Sequence, residues 1–134
     1  MQPNRVQWGP FLSVGDATID EQHRQILAQC NLLADLCAAD GGNSGADPEF
    51  MESYDRLTAL AREHFAAEEA RLVAGAHPGL EDYRHACEEY DYLAAEIATA
   101  ENFDKIELQR FVALWWIGHI LGDTKRVRGE TGPT

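Results

Sequence analysis

Between residues 50 and 72 the apolar side chains recur at steps of three, four and seven, at Phe50, Tyr54, Leu57, Ala61, Phe65 and Leu72. That is the period of one face of an α-helix. Asp47 and Pro48 stand just ahead of it, the residue types of an N-cap and a first helical position. A helix is therefore predicted from about Asp47 to Ala74. The period returns in three more segments. One runs from about Asp20 to Ala39, with Ile26, Leu27, Cys30, Leu33 and Cys37 on its stripe. The others run from about Leu80 to Ala100 and from about Asp104 to Val127. Gly41-Gly42-Asn43-Ser44-Gly45 and Gly75-Ala76-His77-Pro78-Gly79 break the chain between helices. No segment has the alternation of a strand. The pattern predicts an all-α protein, an antiparallel up-down four-helix bundle forming one domain over residues 1–134. Residues 1–18 are expected as an extended N-terminal arm, with Trp8 and Phe11 packing across the bundle, and residues 128–134 as a loose tail.

Several polar residues fall on the faces assigned to the core. In the second helix His64 and Glu68 share the stripe of Leu57, Ala61 and Leu72. In the first, His23 is in register with Ile26, Leu27 and Cys30. In the fourth, His119 is in register with Val112, Trp115 and Trp116, and Asp123 follows it by four residues. A buried imidazole or carboxylate is costly without a partner. One inward histidine is ordinarily a satisfied core residue. Three of them, joined by two carboxylates, point instead to a metal site, since imidazole nitrogen with carboxylate oxygen suits iron, manganese or zinc. Helical bundles build such sites from facing helices.

Composition narrows the range of functions. The 134 residues, 45% hydrophobic and 25% charged, suit one folded domain. A formal net charge of −12 argues against nucleic acid and against an anionic membrane surface. The N-terminal MQPNRVQWGPF lacks a signal pattern, and no apolar run approaches the roughly 20 residues of a membrane span, so the cytoplasm is the expected location. Cys30, Cys37 and Cys87 have no CxxC spacing and suggest no disulfide framework; Cys30 and Cys37 read as small buried residues. No serine or cysteine nucleophile with a histidine base and no glycine-rich phosphate loop is present, so a binding protein is expected rather than an enzyme.

The stretches carrying these residues resemble the bacterial hemerythrins, oxygen-binding non-haem di-iron bundles, over nearly the whole chain. Trp8 with VGDATIDEQHRQI and Asn31 resembles the family's arm and first helix, HFAAEEARL its second-helix signature, His77-Pro78 its Tyr-Pro turn and WWIGHILGD its fourth-helix signature. The resemblance implies non-haem iron, one or two ions. His23 and His64 would sit on one iron, His119 on the other, and Glu68 would be a bridging carboxylate. It implies dioxygen or a similar diatomic as the ligand, for carriage, storage or sensing. A monomer or weak homo-oligomer is expected.

Two departures bear on the ligand set. The family's HxxxH in the third helix is missing. Without gaps, Tyr83 and Cys87 take those positions; with two residues inserted, His85 and Glu89 do. The alternatives differ by about 200° around the helix. Amphipathicity favours the first, whose face continues through Tyr90, Ala94 and Ile97, over the second, which continues through Tyr92, Glu96 and Thr99. Tyrosinate and thiolate would favour ferric iron. In the fourth helix the family's aspartate lies five residues after the histidine, where Thr124 stands here; Asp123 lies at four, the spacing that returns to the same face of a regular helix. The expected metal ligands are thus His23, His64, Glu68, His119, Asp123, Tyr83 and Cys87. An altered site is the alternative, with one metal or two unlike metals and redox, peroxide or nitric oxide chemistry. A metal-free bundle kept as a binding module is the third.

Overall fold

The computed structural model describes residues 2–39 and 47–127. The glycine-rich break at 41–45 and the tail at 128–134 lie outside the described residues. Four helices follow a short 3-10 turn at Pro10–Leu12: α1 (Ala17–Ala39), α2 (Pro48–Ala74), α3 (Leu80–Ala98) and α4 (Lys105–Val127). Among the described residues there is no strand, and no helix is long and apolar enough to cross a membrane. α1 packs on α2 and α4, and α3 on the same two, which closes a four-helix bundle. The α1 side is the more closely packed.

Side-chain caps set the helix starts. Asp47 accepts from the backbone N–H groups of Glu49 and Phe50, satisfying donors that the first turn of α2 cannot pair internally. Asp104 does the same for Ile106 and Glu107 at the start of α4. α1 begins at Ala17, earlier than the expected Asp20, because Asp16 takes the N–H of Ile19 on its carboxylate and that of Asp20 on its carbonyl. Asp20 is then free to turn back on the arm, accepting from the Ser13 hydroxyl at 2.6 Å and the Val14 N–H at 2.9 Å. Gly15 makes the bend between them at φ +77°, where a side chain would be strained.

The arm lies against α1 and α4 and is held by side-chain amides that act as surrogate backbone. Asn31 accepts from the Val6 N–H and donates to its carbonyl. Gln109 does the same for Asn4 and also donates to the Cys30 carbonyl. Trp8 packs at the edge of the core under the Arg24 guanidinium. Phe11 departs from expectation: it is 62% exposed, and the 3-10 turn buries Leu12 in its place. The Leu12 carbonyl lies 2.9 Å from the Thr124 hydroxyl.

The core runs from Leu33, Cys37 and Phe50 at one end of the bundle to Leu72 and Ile120 at the other. Cys30 and Cys37 are fully buried within it. Phe65 and Trp116 stack at 5.2 Å, with Tyr90 set edge-on to both. The polar cluster begins where this aromatic layer ends.

Candidate metal centre

Three helices deliver the inward polar residues to one point. His23 comes from α1, His64 and Glu68 from α2, and His119 and Asp123 from α4. One ligand atom from each lies within 4.8 Å of all the others. The i, i+4 spacing on α2 and α4 stacks each histidine one turn from its carboxylate. His23 Nε2 is 3.2 Å from His64 Nε2. His64 Nε2 is 3.3 Å from Glu68 Oε2, and His119 Nε2 is 3.5 Å from Glu68 Oε1. Asp123 Oδ2 is 3.6 Å from His23 Nε2 and 3.4 Å from His119 Nε2.

These separations, 3.2–3.6 Å, are close to the edges of a coordination polyhedron. Donors about 2.1 Å from one ion, at angles between octahedral and tetrahedral, stand roughly 3.0–3.4 Å apart. The satisfaction of the polar atoms points the same way. His119 Nε2 and Asp123 Oδ2 are buried with no hydrogen-bond partner, a state that costs about 1–3 kcal/mol per group. His64 Nδ1 faces Gln22 Oε1 at 2.9 Å. A carbonyl oxygen only accepts, so the proton sits on Nδ1 and the Nε2 lone pair faces the cluster. The residues present therefore fit a cation held by three imidazoles and two carboxylates.

Protonation agrees with this. Burial lowers the pKa of His64 and keeps the imidazole neutral. Burial pushes both carboxyls up, but they end differently. In Glu68 the neighbouring His119 and His64 rings outweigh burial and hold it well below the usual carboxylate range. In Asp123 burial, together with repulsion from Glu68, prevails over His23 and His119 and keeps it high.

Tyr83 and Cys87 occupy the α3 side. Tyr83 is buried, its ring 5.6 Å from that of His119, and its hydroxyl has no hydrogen-bond partner. Burial, with repulsion from Glu68, raises its pKa, so it is a neutral phenol. Cys87 is half-buried beside it and stays outside the five-residue cluster; burial pushes its thiol up to about 12. His85 and Glu89 are exposed. α4 is regular through Val127, without a π-type widening. Asp123 accordingly shares the face of His119, and Thr124 turns to the Leu12 and Ile120 carbonyls.

Two residues here have no counterpart in the periodicity argument. Gln22 lies next to His23 in sequence, yet it reaches across to α2 and orients His64. Arg126 contacts both carboxylates, Glu68 Oε1 at 3.4 Å and Asp123 Oδ1 more closely. Its i, i+3 spacing from Asp123 was a legible signal.

Two cavities border the site. One of about 370 Å³ lies between α2 and α3 and is lined by Phe65, Tyr83 and Cys87 among others. The second, of about 200 Å³, opens on Glu68, Asp123 and Arg126 at the end of the bundle. The family model of the hemerythrin HHE cation-binding domain matches residues 14–125. No curated protein and no solved structure gives a significant match.

Proposed function

The chain belongs to the hemerythrin HHE cation-binding domain family, and from that premise we propose that it binds iron in the bundle and handles dioxygen or a similar diatomic ligand. The observation that carries this reading is the convergence of three imidazoles and two carboxylates within 4.8 Å. Nitrogen and oxygen donors of this mixture suit iron, manganese and zinc, and of these iron serves reversible redox chemistry with small gases. Iron in this place would supply an electron-rich centre able to interact with a diatomic molecule.

The chain's own residues would supply the rest. His23, His64 and His119 present nitrogen donors, and Glu68 and Asp123 offset the cation's charge. Phe65, Trp115 and Trp116 surround the His119 ring and keep that side apolar. Tyr83 lines the α2–α3 cavity and also stands beside His119. Its unpaired hydroxyl is a donor available to a ligand that enters by that route. Cys87 forms part of the cavity wall.

The test is elemental analysis of protein purified without chelator, followed by exposure of the reduced iron-loaded protein to dioxygen. Iron bound to the wild type, lost in His64→Ala and Glu68→Ala, and a visible-absorption change on adding dioxygen are expected. Metal retained by both variants would remove the site from this location. An iron-loaded protein with no spectral response would exclude the dioxygen reading.

A further inference from the structure

Each carboxylate of the cluster has two oxygens, and the structure uses them differently. Glu68 Oε2 and Asp123 Oδ2 face the imidazoles of α1 and α2. Glu68 Oε1 and Asp123 Oδ1 meet the same atom, Arg126 Nη2. A carboxylate pair that bridges two cations points one oxygen of each group at either cation. Here a guanidinium stands in the second direction of both groups, sharing Glu68 Oε1 with His119 Nε2. We propose that Arg126 is the built-in second cation of this centre, so that the site takes one transition-metal ion per chain. This rests on the reading that the five-residue cluster binds metal.

Charge and donor supply both support it. A guanidinium keeps its proton under all working conditions, so the positive charge beside the carboxylates is permanent. In the metal-bound state both carboxylates are ionised, and with Arg126 they sum to −1, which one divalent ion turns to +1. A second divalent ion would raise it to +3 in a mostly buried site, against strong repulsion. Among the described residues the donors left for a second ion are few, the outer oxygens of Glu68 and Asp123 first among them, so such an ion would be held weakly. α3 offers a neutral Tyr83 hydroxyl and a half-buried Cys87, while His85 and Glu89 face solvent. Arg71, the other arginine lining the end cavity, pairs with Asp16 instead. Arg126 thus stands where that cavity meets the two carboxylates.

Metal-free protein titrated with Co(II), followed by calorimetry and by visible absorption, tests this directly. The wild type is expected to saturate at one ion per chain. Arg126→Lys, which keeps the charge, is expected to hold that endpoint. Arg126→Ala frees the outer oxygens and is expected to take up a second, weaker equivalent. Two ions in the wild type or in Arg126→Lys, or a single ion in Arg126→Ala, overturns the inference. A wild type that takes up no Co(II) overturns the metal-binding reading itself.

Discussion

Gln22→Leu is the most informative single change, because Gln22 stands outside the five-residue cluster and meets it at His64. The wild-type amide oxygen accepts from His64 Nδ1 at 2.9 Å. With leucine there, a buried N–H loses its acceptor, at about 1–3 kcal/mol. The imidazole can escape that cost by moving its proton to Nε2, which removes the lone pair the cluster needs. Loss of an outer partner of this kind weakens metal affinity by about 10–100-fold, or about 1.4–2.7 kcal/mol. Gln22→Glu supplies a stronger acceptor and should keep the proton on Nδ1, so its affinity should match or exceed that of the wild type. Competition against a chromophoric chelator, with Zn(II) or Co(II), measures the three constants. Gln22→Leu binding within about threefold of the wild type would refute the orienting role. So would Gln22→Glu failing as badly as Gln22→Leu.

Asp123→Ala should strip or greatly weaken metal binding, whereas Thr124→Val should leave metal content intact and cost about 1 kcal/mol in urea unfolding, because the Leu12 carbonyl loses its donor. Reversed phenotypes would place the fourth-helix ligand at 124. His85→Ala and Glu89→Ala should each change stability by less than about 0.5 kcal/mol and leave metal content unchanged, since both side chains are exposed; metal loss in either would contradict the α3 orientation. Cys30 and Cys87, both pushed up to about 12 from 9.0, hold roughly a thousandfold less thiolate at pH 8 than open thiols. Native protein should therefore resist iodoacetamide until the pH is raised or urea is added, and fast labelling of Cys30 in the folded state would disprove its burial.

The helices were legible because their faces obey one period without interruption: Phe50 to Leu72 predicts α2 within a residue of its observed bounds. The inward histidines were legible for the same reason, since a polar residue on an apolar stripe stands out. What stayed hidden depends on reach rather than register. Gln22 and Arg126 lie off the core stripes and bend toward it across helix boundaries, and periodicity says nothing of where a long side chain ends. The arm shows the same limit. Trp8 and Phe11 were equally apolar candidates, but the 3-10 turn at Pro10–Leu12 directs Leu12 inward and leaves Phe11 outside. Asn31 and Gln109 hold that arm through backbone amides, contacts that no hydrophobic pattern records.

The five clustered residues come from α1, α2 and α4, and α3 carries none of them. With an ion in place, any fluctuation that parts those three helices must break bonds to it, so their amides should exchange hydrogen together and slowly. α3 is tied to its neighbours by packing around the cavity of Phe65, Tyr83 and Cys87 and by the partly exposed Arg84–Glu69 ion pair, with no residue of the metal cluster among those ties, and it can open on its own, as a less stable cooperative unit. Holding the ion and admitting a small molecule thereby become separate motions. Exchange can be quick on one wall of the bundle while the other three stay shut.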